Sequence, residues 1–128
     1  DIKSIDDLEG KKIGAQQGTT GYTYASDTPE NGGYGEENVI GYDSGAVAVE
    51  ALKSGKIDCV IIDNEPAKAF VAANAGLKIL ETEFTVEDYA ICFSKSNNAL
   101  KDKVNAALKE LIADGSVKKV VDKYIKAD

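Results

Sequence analysis

Residues 51–71 read ALKSGKIDCVIIDNEPAKAFV, and this stretch decides the fold. A helical segment closes on Ser54 and Gly55, with glycine in the usual helix-stop position. The run IDCVIID at 57–63 follows, apolar on both faces as a central parallel strand is. A second helix then opens at Asn64, tolerates Pro66 in its first turn, and runs to Ala75 before Gly76. Helix, buried strand and helix joined by short links are the pattern of βαβ units around a parallel sheet.

The same alternation extends outward. A polar lead-in over 1–12 contains a short turn at 6–8, and KKIGAQ at 11–16 reads as a strand. That strand runs into QGTTGYTYAS, a Gly- and Thr-rich turn opening a helix that Thr19 or Thr20 can cap. After the Gly-rich, acidic loop at 29–37, NVIGYD at 38–43 is the second strand. Ser44 caps the helix that follows, with Val47, Ala48, Ala51 and Leu52 on one face. Further strands are expected at 77–80 (LKIL) and 87–94 (EDYAICFS). From Asn97 the period changes. Leu100, Val104, Leu108, Leu111 and Ile112 mark a long helix stopped by Asp114 and Gly115, and Val117, Val120, Val121, Tyr124 and Ile125 mark a shorter last one. The expected fold is α/β, a three-layer open, mostly parallel sheet with helices on both faces and no internal repeat.

Composition removes much chemistry. The 128 residues allow one domain, and 43% apolar with 29% charged residues is the balance of an ordinary globular protein. No His is present, so the commonest general base and metal ligand is missing. No Arg is present either, so nothing can grip a carboxylate or phosphate with a two-pronged guanidinium. A net charge of −7 argues against nucleic acid and anionic membrane as partners. The charge is divided: residues 1–96 carry 8 Lys and 17 acids, residues 97–128 carry 7 Lys and 5 acids. The basic end reads as a solvated helical face. Cys59 and Cys92 match no metal spacing, and both lie in apolar runs, so they read as free core thiols, with a disulfide as the alternative. No apolar run reaches the ~18–20 residues of a membrane span, and no signal-peptide pattern is present. Since position 1 is Asp and not Met, the chain is expected to be processed or excised. No metal or cofactor is called for.

Two turns can carry chemistry. QQGTTG at 16–21 follows the first strand, and Asp63 closes the third. In open parallel sheets ligands bind beyond the carboxyl ends of the strands, where helix N-termini present backbone N–H groups. The first turn offers amide donors from Gly18 to Thr20, two hydroxyls and two carboxamides, a set suited to a carboxylate. Asp63 suits an ammonium group, or simply caps the helix after it. Together they are complementary to a zwitterion. Tyr22 and Tyr24 serve as packing or as pocket walls. A P-loop is excluded because no Lys follows the glycines. A phosphoacceptor receiver is excluded because Ala15, Gln16 and Gln17 stand where acids are needed. No catalytic residue is assigned, since Asp63 has no evident acid–base partner.

The segments DLEGKKIGAQQGTTG, Tyr42-Asp43-Ser44, ALKSGKIDCVIIDNEPAKAFV, EDYAICFSKSNNAL and NAALKELIADGSVKKVVDKYI, in this order, resemble the polar-amino-acid-binding proteins of ABC importers. These belong to the type II periplasmic binding proteins. The resemblance covers residues 5–126, and GKIDxVIxD is its most specific element. It implies two α/β lobes that close around a free amino acid, of which this chain resembles the second. Residues 1–94 would be that lobe, including a returning hinge strand at 87–94. Residues 95–128 would be the C-terminal helices, which in the family pack largely on the first lobe. Carried over by position, Gln16 would face the ligand side chain, with Ile62 as a pocket wall. Gly18, Thr19 and Thr20 would donate to the α-carboxylate, and Asp63 would receive the α-ammonium.

The departure from the family is the first lobe, with its carboxylate-binding Arg and ligand-sandwiching aromatics, which no residue here matches. The implied function is the extracytoplasmic amino-acid-binding component of an ABC importer, periplasmic or a surface lipoprotein, not an enzyme. Its partner would be an ABC permease. Amino-acid binding to this lobe alone is expected to be millimolar or undetectable. The apolar stripe from Leu100 to Ile112 would fold onto the lobe, lie exposed, or swap between chains into a homodimer. Alternatives of the same fold are an extracellular amino-acid sensor domain and a cyclohexadienyl-dehydratase-like enzyme.

Overall fold

The structure, a computed structural model, describes residues 2–124, so Ile125 of the expected last helix lies outside the described residues. Two compact units divide the chain, Asp1–Val86 and Glu87–Asp128.

The first unit alternates β1 (Ile13–Gln16), α1 (Thr20–Ser26), β2 (Val39–Tyr42), α2 (Gly45–Lys53), β3 (Cys59–Ile61) and α3 (Asn64–Ala73). The strands form a parallel sheet in the order β2-β1-β3, with Ala15 opposite Gly41 on one side and Ile61 on the other. The chain moves from β1 outward to β2, then returns past β1 to β3. Right-handed crossovers in opposite directions place α1 and α2 on opposite faces, so the unit has three layers. Ala25 of α1 joins Leu8, Ile13 and Val39 in one buried cluster, with Tyr22, Cys59 and Ile61 packed against it. Ala48, Val49 and Ala51 of α2 are buried outside that cluster. Ile13 is the one large side chain fully buried among the described residues, so this is a core of small residues. Ile13→Ala there removes roughly 2–5 kcal/mol of stability.

Local chemistry starts and stops these elements as the sequence suggests. Ser4 and Asp7 form a capping box on the 3-10 turn Ile5–Leu8. Thr19 caps α1 by accepting the Tyr22 N–H at 3.2 Å, and Ser44 caps α2 by accepting the Val47 N–H at 3.3 Å. Gly55 and Gly76 follow α2 and α3 with φ of +71° and +88°, the left-handed region that a chain reversing after a helix demands. Asn74 ends α3 just short of the expected residue, donating from Nδ2 to the Phe70 carbonyl at 2.8 Å.

Three expectations are corrected. β3 is an edge strand and not a central one, because β1 takes the middle of the sheet. Residues 77–80 and 87–94 are not strands among the described residues. An apolar, alternating run becomes a strand only when a neighbour takes its backbone N–H and C=O groups, and among the described residues no strand pairs with the outer edge of β3. Consequently Val86, Tyr89 and Ile91 are 82%, 83% and 61% exposed. Cys92, in the same stretch, is an exposed free thiol and not a core one. Cys59 is also free and half-buried, and burial followed by the Asp58 charge pushes its thiol up to about 11.

The second unit is built on α4 (Asn98–Ala113) and α5 (Ser116–Tyr124). Asn97 caps α4 by accepting the Leu100 N–H at 3.2 Å. Asp114 turns the chain, its Oδ1 accepting the Ser116 N–H at 2.8 Å. Val104 and Leu108 are half-buried, while Leu100, Leu111, Ile112, Val120, Val121 and Tyr124 are exposed. Among the described residues no helix is long and apolar enough to cross a membrane.

Candidate functional site

The carboxyl ends of the three strands share one edge of the sheet, and the parallel register sets which residues meet there. Ala15 lies opposite Ile61, so continuing both strands brings Gln16 beside Ile62 and the following turn beside Asp63. Asp58 pins this register from the other end. Its N–H donates to the Lys12 carbonyl at 2.8 Å, and its Oδ2 accepts the Lys12 N–H at 2.8 Å. The acid inside GKIDxVIxD therefore has a structural role, and the acid that ends the motif stands at the site.

Around β1 the turn is held tightly. Gly18 has φ +80°, which only glycine adopts without strain. The Gln16 carbonyl accepts both the Thr19 hydroxyl at 2.8 Å and the Thr19 N–H at 3.3 Å. With that same hydroxyl accepting from Tyr22 N–H, the Thr19 side chain is committed to shaping the turn. Thr20 opens α1, and Gln16, Gly18, Thr19 and Thr20 are all exposed. A second anchor ties the turn to β2, where the Gln17 N–H donates to the Tyr42 carbonyl at 2.9 Å.

Across the edge, Asp63 occupies the N-cap position of α3 but makes no capping hydrogen bond with its side chain, so simple capping does not describe it. Ile62 is half-buried, with its Cδ1 over Gly45 at the start of α2 and the Phe70 ring alongside. The strand end bearing Asp63 is thus seated between α2 and α3. All six sequence-picked residues fall on this one edge. The carboxyl end of β2 joins them, and there the sequence reading had only a motif, Tyr42-Asp43-Ser44. Asp43 lies exposed at the same edge as a second acid.

A separate shallow cleft of about 350 Å³ lies by Tyr24, Asp27, Asn31, Gly32, Phe84 and Thr85. It sits at the far end of α1 from the Thr19 cap, away from the strand ends. The Asn31 side chain and the Thr28 N–H hold the Asp27 carboxyl below its ordinary value.

The profile of the bacterial extracellular solute-binding proteins, family 3, matches residues 38–127. The chain is 31% identical over 128 residues to the ABC transporter glutamine-binding protein GlnH of Bacillus subtilis, covering 99% of this chain and 45% of that protein. It is 32% identical over 127 residues to the ABC transporter arginine-binding protein 1 of Escherichia coli, covering 95% and 50%. A solved substrate-binding protein of an amino acid ABC transporter superposes with a TM-score of 0.81 at 30% identity, covering 98% of this chain and 55% of that one. The chain spans about half the length of the curated relatives it matches. Since the family match takes in well over half of its residues, the chain belongs to family 3 of the bacterial extracellular solute-binding proteins.

Proposed function

We propose that this chain is one lobe of an extracytoplasmic amino-acid-binding component of an ABC importer, and that it carries half of a zwitterion site. The β1–β3 register is the observation that carries this reading, because it puts an amide-rich turn and an acid at one sheet edge. In this reading Gly18 and Thr20 donate to the α-carboxylate, Thr19 fixes the turn, and Asp63 takes the α-ammonium. Gln16 faces the ligand side chain, and Ile62 is a pocket wall beside Asp63. The lobe runs over residues 1–94, with 87–94 as the segment that returns from a first lobe and 95–128 packing on that lobe. The first compact unit closes at Val86, ahead of that returning segment. Relatives named for glutamine and arginine binding support a free amino acid as ligand and an ABC permease as partner.

The test is calorimetric titration of the two-lobed protein with L-glutamine and L-arginine, as wild type and as Asp63→Asn. A charged hydrogen bond contributes about 1.5–3 kcal/mol, so Asp63→Asn weakens binding at least ~10-fold. Equal affinity in both proteins overturns the ammonium assignment. Product formed from a cyclohexadienyl acid, and lost in Asp63→Asn, makes the protein an enzyme instead. The 128-residue chain, tested alone, binds at millimolar concentration or not at all, since half of the enclosure is missing.

A further inference from the structure

We propose that Gly41, on β2, is the positioning residue of the amide-donating turn, an inference that rests on the functional reading above. Glycine inside a strand is disfavoured, because it adds backbone entropy loss and packs no side chain. At Gly41 the backbone gives no conformational reason for it, since Gly41 is not among the positive-φ glycines. What remains is room. A Cβ at position 41 would lie 3.1 Å from Tyr22 Cε2 and 3.3 Å from Gln17 Cβ. Neither neighbour yields freely. The Gln17 Cβ is bonded to a backbone that is itself held by the 2.9 Å bond to the Tyr42 carbonyl, one residue from Gly41. Tyr22 packs against the Ile13 cluster, and its N–H completes the Thr19 cap.

Both contacts therefore lead into the turn. Gln17 directly precedes Gly18, and Tyr22 stands in the first turn of α1. The bare Cα at 41 lets these two residues settle on the end of β2, which sets how far the Gly18–Thr20 amides stand from Asp63. A methyl at 41 has to lift one of them by a few tenths of an ångström. Displacements of that size matter where donors must meet a carboxylate at hydrogen-bond distance. Gly14 also lacks room, but its Cβ would meet Ile57 and Tyr42, so it answers to packing and not to the turn.

The experiment compares wild type, Gly41→Ala, Gly41→Ala with Tyr22→Leu, and the control Ile40→Ala, all in the 128-residue chain. Backbone amide signals of residues 17–20 are followed by heteronuclear NMR without ligand, and binding of L-glutamine and L-arginine is measured with the same substitutions in the two-lobed protein. Gly41→Ala shifts the Gly18–Thr20 signals and, in the two-lobed protein, weakens amino-acid binding about tenfold, while amide signals away from the turn stay in place. Trimming Tyr22 in that background returns the signals part of the way, a rescue that a simple loss of stability does not give. Ile40→Ala leaves residues 17–20 unmoved. Unmoved turn amides in Gly41→Ala overturn the proposal. The ligand-free comparison needs no amino acid, so it decides the role of Gly41 on its own, whereas absence of amino-acid binding by the two-lobed wild type counts against the functional reading alone.

Discussion

Cys59 and Cys92 separate at the level of single side chains, although both sit in apolar runs of sequence. The Cys59 thiol, half-buried and pushed up to about 11, holds far less thiolate at pH 8 than an ordinary thiol does. Its reaction with a disulfide reagent at pH 8 is expected to run about tenfold slower than an unperturbed thiol's, rising roughly tenfold per pH unit until its pKa is reached. Exposed Cys92 is labelled first, as site-resolved mass spectrometry can read; equal rates would overturn the burial of Cys59. The strand-end placement of the candidate residues was legible at this scale. QQGTTG and Asp63 announced themselves by residue type at strand ends, where helix-opening turns must put glycine, hydroxyls and acids. Hidden was the role that depends on contacts distant in sequence, the Gly41 surface under Tyr22 and Gln17.

Elements are placed by their ladders, and Asp58 shows what a single carboxylate contributes to one. It closes the β1–β3 pair at the end opposite the site by a reciprocal bond with Lys12. Asp58→Ala deletes the side-chain half of that clamp and costs about 1 kcal/mol. A second effect is local. Amide hydrogen exchange at residues 59–62 accelerates more than in β2, because only β3 loses its anchor; uniform acceleration in both strands would refute the clamp. Element identity was readable wherever a cap or stop residue flanked a clear period, as with Ser44 to Gly55. It was misread at 77–80 and 87–94, where the pattern was strand-like but no partner strand stands alongside. Alternation reports what a segment can do, whereas a ladder also needs a neighbour. The same limit put β3 at the centre of the sheet when it lies at an edge.

At the scale of the whole chain the question is what covers the apolar surface left open. Tyr89, Ile91, Leu111, Ile112, Val120 and Tyr124 are all exposed. In our functional reading a first lobe covers much of this surface, and for the 128-residue chain alone we expect a second copy to do so through α4 and α5. Size-exclusion chromatography with light scattering is expected to show a mass that rises with concentration. Leu111→Glu with Val120→Glu returns the chain to monomer, since each charge makes burial of that face unfavourable. A monomer unchanged up to millimolar concentration would sink the self-association.

One joint in the first unit bears on how such a lobe can be built into a larger protein. The Ile5 N–H donates to Thr82 Oγ1 at 3.1 Å, and Lys78 Nζ donates to the Ile2 carbonyl at 3.0 Å. Tyr34 spans the same place, its hydroxyl donating to the Ile5 carbonyl at 3.2 Å while its ring stacks on Phe84 at 5.9 Å. The chain thus arrives and departs at neighbouring points, tied by one tyrosine. A module whose ends meet can be spliced into a host loop without stretching it, and it can be reopened elsewhere once those ends are joined. A circular permutant linking residue 86 to residue 2 and opening in the Gly-rich loop near Gly32 should therefore keep its sheet.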